Sequence, residues 1–179
     1  SEYMLFSKVL SVVHPFYEAD GIYILPVDGV GFGMYSSILD ELEIFNVIKT
    51  DNDLRAVKGK GTYSVLGFSR CNKYIGEELL PTTQLQENSI SAKRTLYQEN
   101  EDRLNEIRSE YRIFLSKVDL ENDLDEALHD RLIDLLKETS PVDYLQDAKH
   151  YHMVKLVEKL TDEDCSAIYN HYNFACLKE

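Results

Sequence analysis

The chain reads as an α+β protein: an N-terminal helix and a small antiparallel sheet of two hairpins, followed by a four-helix C-terminal part that includes one long amphipathic helix. Three observations predict this. Seven of the eight glycines fall between Gly21 and Gly67, the eighth is Gly76 and none follows, so turn-forming chemistry ends early. Asp28-Gly29 and the Lys58–Gly61 stretch each lie between short apolar runs, the pattern of tight hairpins. Beyond residue 86, apolar residues recur at helical spacing among charged ones. The composition changes across residues 79–89, which divides the chain into a helix-plus-sheet part, 1–85, and an acidic helical part, 86–179, sharing one core.

The first element is a helix on which Leu5, Phe6, Val9, Leu10, Val12 and Val13 cover every side but a stripe of Ser7, Ser11 and His14; Pro15 ends it. Next, pairing across Asp28-Gly29 sets Val27 against Val30, Leu25 against Phe32 and Tyr23 against Met34, with glycines filling much of the opposite face. The segment 38–48 fits either a helix or a helix followed by a strand. A second hairpin follows, with Leu54–Val57 and Thr62–Phe68 as its strands. From Asn88 to Val118, Ile90, Tyr97, Leu104, Tyr111 and Val118 recur every seven residues, the spacing of a long helix able to pair with a second copy. A helix after Asn122 carries Leu124, Leu128, Leu132, Leu135 and Leu136 on one side. Another starts at Ser140 with Pro141 in its first turn, and the last starts at Thr161, with Asp164 completing a capping box.

Nineteen basic and thirty-two acidic residues give the 179-residue chain a net charge of −13, so as a whole it repels nucleic acid and anionic membrane. Three cysteines, Cys71, Cys165 and Cys176, form no disulfide framework and fit a reducing, cytoplasmic setting. The uncharged run Gly29 to Leu39 is far shorter than the ~18 residues of a membrane span. The apolar N-terminus carries Glu2 and Lys8 and no cleavage signature, and reads as part of the fold.

Charge is nevertheless sorted. Between Leu54 and Gly76 lie five basic residues and no acid, whereas from residue 86 onward twelve basic face twenty-one acidic side chains. Arg55, Lys58, Lys60, Arg70 and Lys73, interleaved with Tyr63, Phe68 and Tyr74, are what a phosphorylated ligand or single-stranded nucleic acid requires. The same lysines equally serve to keep a hairpin edge from pairing with other chains.

Several chemistries are excluded. A dinucleotide fingerprint needs glycine where Met34 stands and no proline in the strand before it, yet Pro26 is there. The Gly59–Thr62 stretch lacks the glycine and hydroxyl positions of a phosphate-binding loop. His150, His152, Cys165, His171 and Cys176 are rich in zinc-ligand chemistry but lack ligand spacing, so no metal and no cofactor is expected. Cys71 between Arg70 and Lys73 is a candidate nucleophile, with His171 as another catalytic candidate, but no base or oxyanion donor is indicated.

With no catalytic motif, the expected function is protein interaction: an inhibitor, adaptor or regulator that presents an acidic helical surface to a basic protein partner, as a homodimer through Ile90, Tyr97, Leu104, Tyr111 and Val118. The alternatives are a module binding nucleic acid or a phosphorylated ligand through Arg55, Lys58, Lys60, Tyr63, Arg70 and Lys73, and a small enzyme of unrecognised type.

Overall fold

The computed structural model describes residues 1–27 and 32–179, apart from the side chain of Phe32. In chain order come α1 (Glu2–Val13), α2 (Phe32–Glu41), β1 (Ile48–Thr50), β2 (Leu54–Ala56), β3 (Tyr63–Val65) and α3 (Leu66–Ile75). Then follow α4 (Ile90–Glu99), α5 (Glu101–Tyr111), β4 (Ile113–Leu115), α6 (Leu120–Leu128), α7 (Asp130–Leu136), α8 (Pro141–Asp147), α9 (Lys149–Lys159), α10 (Asp162–Asn170) and a terminal 3-10 helix, Tyr172–Leu177. The class is α+β and mostly helical, as the sequence predicts.

The chain forms two compact units, Ser1–Pro26 with Leu120–Lys178, and Val27–Asp119. This division differs from the compositional boundary at 79–89. The reason is pairing at a distance: α1 packs on α9 and α10, and β4 pairs with β1, so each unit draws on both halves of the sequence.

In the helical unit, α1 buries Leu5, Phe6, Val9 and Leu10 and ends where His14 N–H donates to Leu10 O at 2.8 Å, just before Pro15. The expected helix after Asn122 begins earlier, at Leu120, and is two helices, because His129 adopts φ 37° between α6 and α7. Pro141 takes the first position of α8, where its missing N–H costs nothing. Thr161 and Asp164 form the expected capping box of α10. Leu124, Leu132, Leu145, Met153, Leu156 and Phe174 are completely buried in the core, and Phe6 meets Phe174 edge to face, centroids 6.3 Å apart.

The second unit departs more from expectation. The hairpin proposed for residues 22–35 is not formed: residues 22–27 are in no strand and 32–41 form α2, while the Asp28-Gly29 turn and its neighbours Val30 and Gly31 lie outside the described residues. Half-buried positions in α2 recur every three residues at Gly33, Ser36 and Leu39, a helical period that alternation-based reading misassigned. Ser36 and Ser37 sit inside this helix, and Ser37 Oγ donates to Gly33 O at 2.9 Å. The second hairpin is present, with Leu54↔Val65, Arg55↔Ser64 and Ala56↔Tyr63 in antiparallel register. Its return strand stops at Val65, and residues 66–75 are helix α3.

The single long helix of residues 88–118 is also corrected. Asn100, with φ −120°, separates α4 from α5, and its Nδ2 donates to Leu96 O at 2.8 Å; asparagine side chains compete in this way with helix continuation. Arg112, in the left-handed region at φ 54°, ends α5. The next residues form β4, parallel to β1 in the register Ile48↔Ile113, Lys49↔Phe114 and Thr50↔Leu115. Ile48, Val65, Phe68, Leu104, Ile107 and Ile113 belong to the core of this unit.

Candidate functional site

Because β1 and β4 run parallel, their carboxyl ends lie at one edge, where open α/β sheets place ligands. β1 delivers Asp51, Asn52 and Asp53 to that edge, and β4 delivers Ser116 and Lys117. Ser116 N–H continues the ladder to Thr50 O at 2.9 Å, and Asn52 N–H reaches Val118 O at 3.1 Å.

Burial alternates through the loop. Asn52 is 0 % exposed, whereas Asp51 and Asp53 on either side are half-buried. The buried Asn52 amide anchors the loop, while the carboxylates on either side of it stay partly accessible. Arg70 of α3 donates through Nη2 to Asp53 Oδ2 at 2.5 Å and through Nη1 to Thr50 Oγ1 at 3.1 Å. Ser116 Oγ donates to Asp51 Oδ1 at 3.5 Å, a long contact. The first turn of α3 abuts the same loop, with Gly67 N–H donating to Asp53 O at 3.0 Å.

Two carboxylates two residues apart, each oriented by a neighbouring donor, supply hard oxygen ligands. Magnesium typically takes one or two carboxylates from a protein and completes its shell with water and phosphate oxygens, so Asp51 and Asp53 fit such an ion. Among the described residues no group of three or more His, Cys, Asp or Glu is arranged to hold a metal unaided. His152 is already engaged, with its Nδ1 2.5 Å from Tyr144 O and its ring stacked on that of Tyr144.

The basic residues singled out from the sequence divide into two groups. Arg55, Lys58 and Lys60 are exposed on the β2–β3 hairpin, whose loop is closed by Val57 N–H to Thr62 O at 2.8 Å and by Gly59 and Gly61 at positive φ. Tyr63, in β3, is half-buried, and its backbone pairs with Leu85. Lys73 is exposed on α3. Arg70 is not a free cation, because it is committed to Asp53 and Thr50. The positions expected to mediate dimerisation also divide. Tyr97, Leu104 and Val118 are at most 2 % exposed within their own unit, while Ile90 and Tyr111 are exposed. The break at Asn100 leaves no continuous seam.

Cys71 is fully buried, and burial pushes its thiol up to about 12 despite the nearby Arg70 charge. It is therefore protonated at neutral pH and is no nucleophile. The acidic helices are less of a presented surface than their composition indicates. Glu121 and Asp123 are each 1 % exposed, Glu121 lies 3.4 Å from Lys149, and Asp164 bonds Arg131 at 2.9 Å.

Sequence reading passed over Asp51, Asn52 and Asp53. The signal present was an Asp-x-Asp directly after the β-prone run Val47–Thr50, a pair of carboxylates delivered by a strand end.

Residues 1–53, which include this loop, match a family model described as Overcoming lysogenization defect protein-like, TOPRIM domain. Across its whole length the chain is 39% identical to Endonuclease GajA of Bacillus cereus (strain VD045) and covers 33% of that protein, so it spans about a third of this relative's length. These similarities overturn the reading of the chain as an inhibitor, adaptor or regulator acting through an acidic surface, since the full-length match is to a protein named as an endonuclease. Among the described residues no helix is long and apolar enough to cross a membrane.

Proposed function

We propose that this chain is part of a nucleic-acid endonuclease and that the Asp51–Asp53 loop belongs to its hydrolytic site. The observation that carries the reading is similarity over the full chain, at 39% identity, to a protein named as an endonuclease. The geometry supports it, because the loop combines two half-buried carboxylates with fixed donors at the end of a parallel strand.

Cleaving a phosphodiester requires that the anionic phosphate be neutralised and that water be activated beside it. A divalent cation, when bound, supplies Lewis-acid polarisation and lowers the pKa of its water. In this reading Asp51 and Asp53 hold that ion. Arg70 fixes the rotamer of Asp53 and offsets part of the negative charge that two adjacent carboxylates concentrate. Ser116 orients Asp51. Arg55, Lys58 and Lys60, on the hairpin that follows the loop, contact phosphates of the bound strand and bring substrate to a molecule that is otherwise repulsive to it.

The test is cleavage of supercoiled plasmid by the full-length protein with Mg2+ present. Asp51→Ala and Asp53→Ala are each expected to reduce cleavage by about two orders of magnitude or more, the scale of losing a group that stabilises transition-state charge. Gel-shift binding to the same DNA should persist. Wild-type cleavage by both variants would remove the loop from the mechanism.

A further inference from the structure

We propose that Asn52 is a positioning residue, the pin that fixes the separation and direction of the Asp51 and Asp53 carboxylates, and that Gly67 is the bare surface on which the pinned loop rests. This rests on the reading of the loop as a cation-holding site. Asn52 is 0 % exposed, and its Nδ2 donates to two carbonyls remote in sequence, Lys93 O in α4 at 3.2 Å and Lys117 O after β4 at 3.1 Å. Its backbone N–H bonds Val118 O at 3.1 Å. One residue thus joins the loop to α4 and to the segment leaving β4.

Residue type matters here. An amide nitrogen carries two hydrogens, and both are used. Aspartate, of the same shape, has no donor when ionised, and an aliphatic side chain would offer no hydrogen to either the Lys93 or the Lys117 carbonyl. On the other side, a Cβ at Gly67 would stand 2.8 Å from Asp51 O and 2.9 Å from Asn52 Cα, closer than packed atoms tolerate. The backbone of the loop therefore lies directly against the first turn of α3, and only glycine permits that approach.

Position is what a small, hard cation demands of its ligands, since magnesium tolerates little departure from octahedral geometry at 2.0–2.1 Å. Groups that orient ligands without touching the ion typically contribute 10- to 100-fold to affinity. A residue that merely held the fold together would act otherwise, and the same unit contains the comparison. Asn72 is also buried, and it bonds Leu80 twice, Nδ2 to Leu80 O at 2.8 Å and Leu80 N–H to Oδ1 at 2.9 Å. Neither of these bonds involves the Asp51–Asp53 loop.

The experiment measures Mn2+ binding to the full-length protein by titration calorimetry, alongside thermal unfolding, for the wild type, Asp51→Ala, Asn52→Ala, Gly67→Ala and Asn72→Ala. Asn52→Ala and Gly67→Ala should weaken Mn2+ about 10- to 100-fold, while Asn72→Ala lowers the melting temperature and leaves the affinity unchanged. Gly67→Ala keeps every donor in place and decides the matter where Asn52→Ala does not fold. Wild-type affinity in the Asn52 and Gly67 variants, or an equal loss in Asn72→Ala, overturns the pin. Binding unchanged by Asp51→Ala, or absent from the wild type, instead overturns the cation-holding reading of the loop.

Discussion

The two units of this chain are held together by different means. In the helical unit the core is a set of completely buried aliphatic and aromatic side chains, Leu124, Leu132, Leu145, Met153, Leu156 and Phe174 among them, and cohesion comes from removing apolar area from water. The Val27–Asp119 unit has an apolar core too, but its strands are three residues long and supply few ladder bonds. Much of the remaining order falls to buried asparagines that bind backbone at a distance: Asn52 reaches Lys93 and Lys117, and Asn72 reaches Leu80. Apolar packing is additive and forgiving in direction, whereas an amide that satisfies two carbonyls is directional. In the proposed site the directional device is what would aim the two carboxylates.

If that contrast is right, the largest losses of stability come from the helical unit. Leu156→Ala, at a completely buried position, should destabilise by about 2–5 kcal/mol through lost transfer energy and the cavity left behind, read by chemical denaturation. It should leave Mn2+ affinity of the folded protein intact. A parallel fall in affinity would break the separation of roles.

Next in size is the cap of α10. Thr161→Ala should cost about 1 kcal/mol, because it removes the acceptor for Asp164 N–H. Burial works to raise the Asp164 carboxyl, but bonds from Arg131 and Thr161 outweigh it and hold it below its ordinary value. A depressed value means that the stabilisation is fully present above the unfolded pKa of about 3.9, and is lost as pH falls through the folded value. Denaturation midpoints measured from pH 6 down to pH 3 should therefore drop more steeply for the wild type than for Asp164→Asn. Equal slopes would mean the carboxylate contributes nothing to this helix start.

The same contrast explains what was legible in the sequence. The first helix, the proline start of α8 and the Thr161 capping box were read correctly because each is written in consecutive residues, by spacing or by a local hydrogen bond. The β2–β3 hairpin was legible for the same reason. The first turn of α2 was misread as a strand because Gly29–Met34 alternates glycine with large residues over too few positions to separate two periods. β4 was absorbed into a helix because Tyr97, Leu104, Tyr111 and Val118 keep a seven-residue spacing through a helix break at Asn100 and a left-handed Arg112. The site was invisible for a deeper reason. Nothing near Asn52 in sequence announces that its partners lie 41 and 65 residues away, nor that Gly67 stands in van der Waals range of Asp51.

The smallest effect on stability is expected where neither device operates, at the tip of the β2–β3 hairpin. Lys58 and Lys60 are exposed in a loop whose shape is set by Gly59 and Gly61 at φ 77° and 62°, so replacing both lysines with alanine should leave the melting temperature unchanged. Their contribution is to charge alone. Each phosphate contact on duplex DNA releases condensed counterions and steepens the plot of log affinity against log salt by about 0.9. The double variant should therefore bind more weakly at low salt, with a slope shallower by roughly two if both lysines touch phosphates. Unlike the loss from Asp51→Ala, this one should appear in binding and vanish from cleavage at saturating DNA. An unchanged salt slope would return these lysines to the role of protecting an exposed strand edge, and phosphate contact would then have to be sought at Arg55 and Lys73.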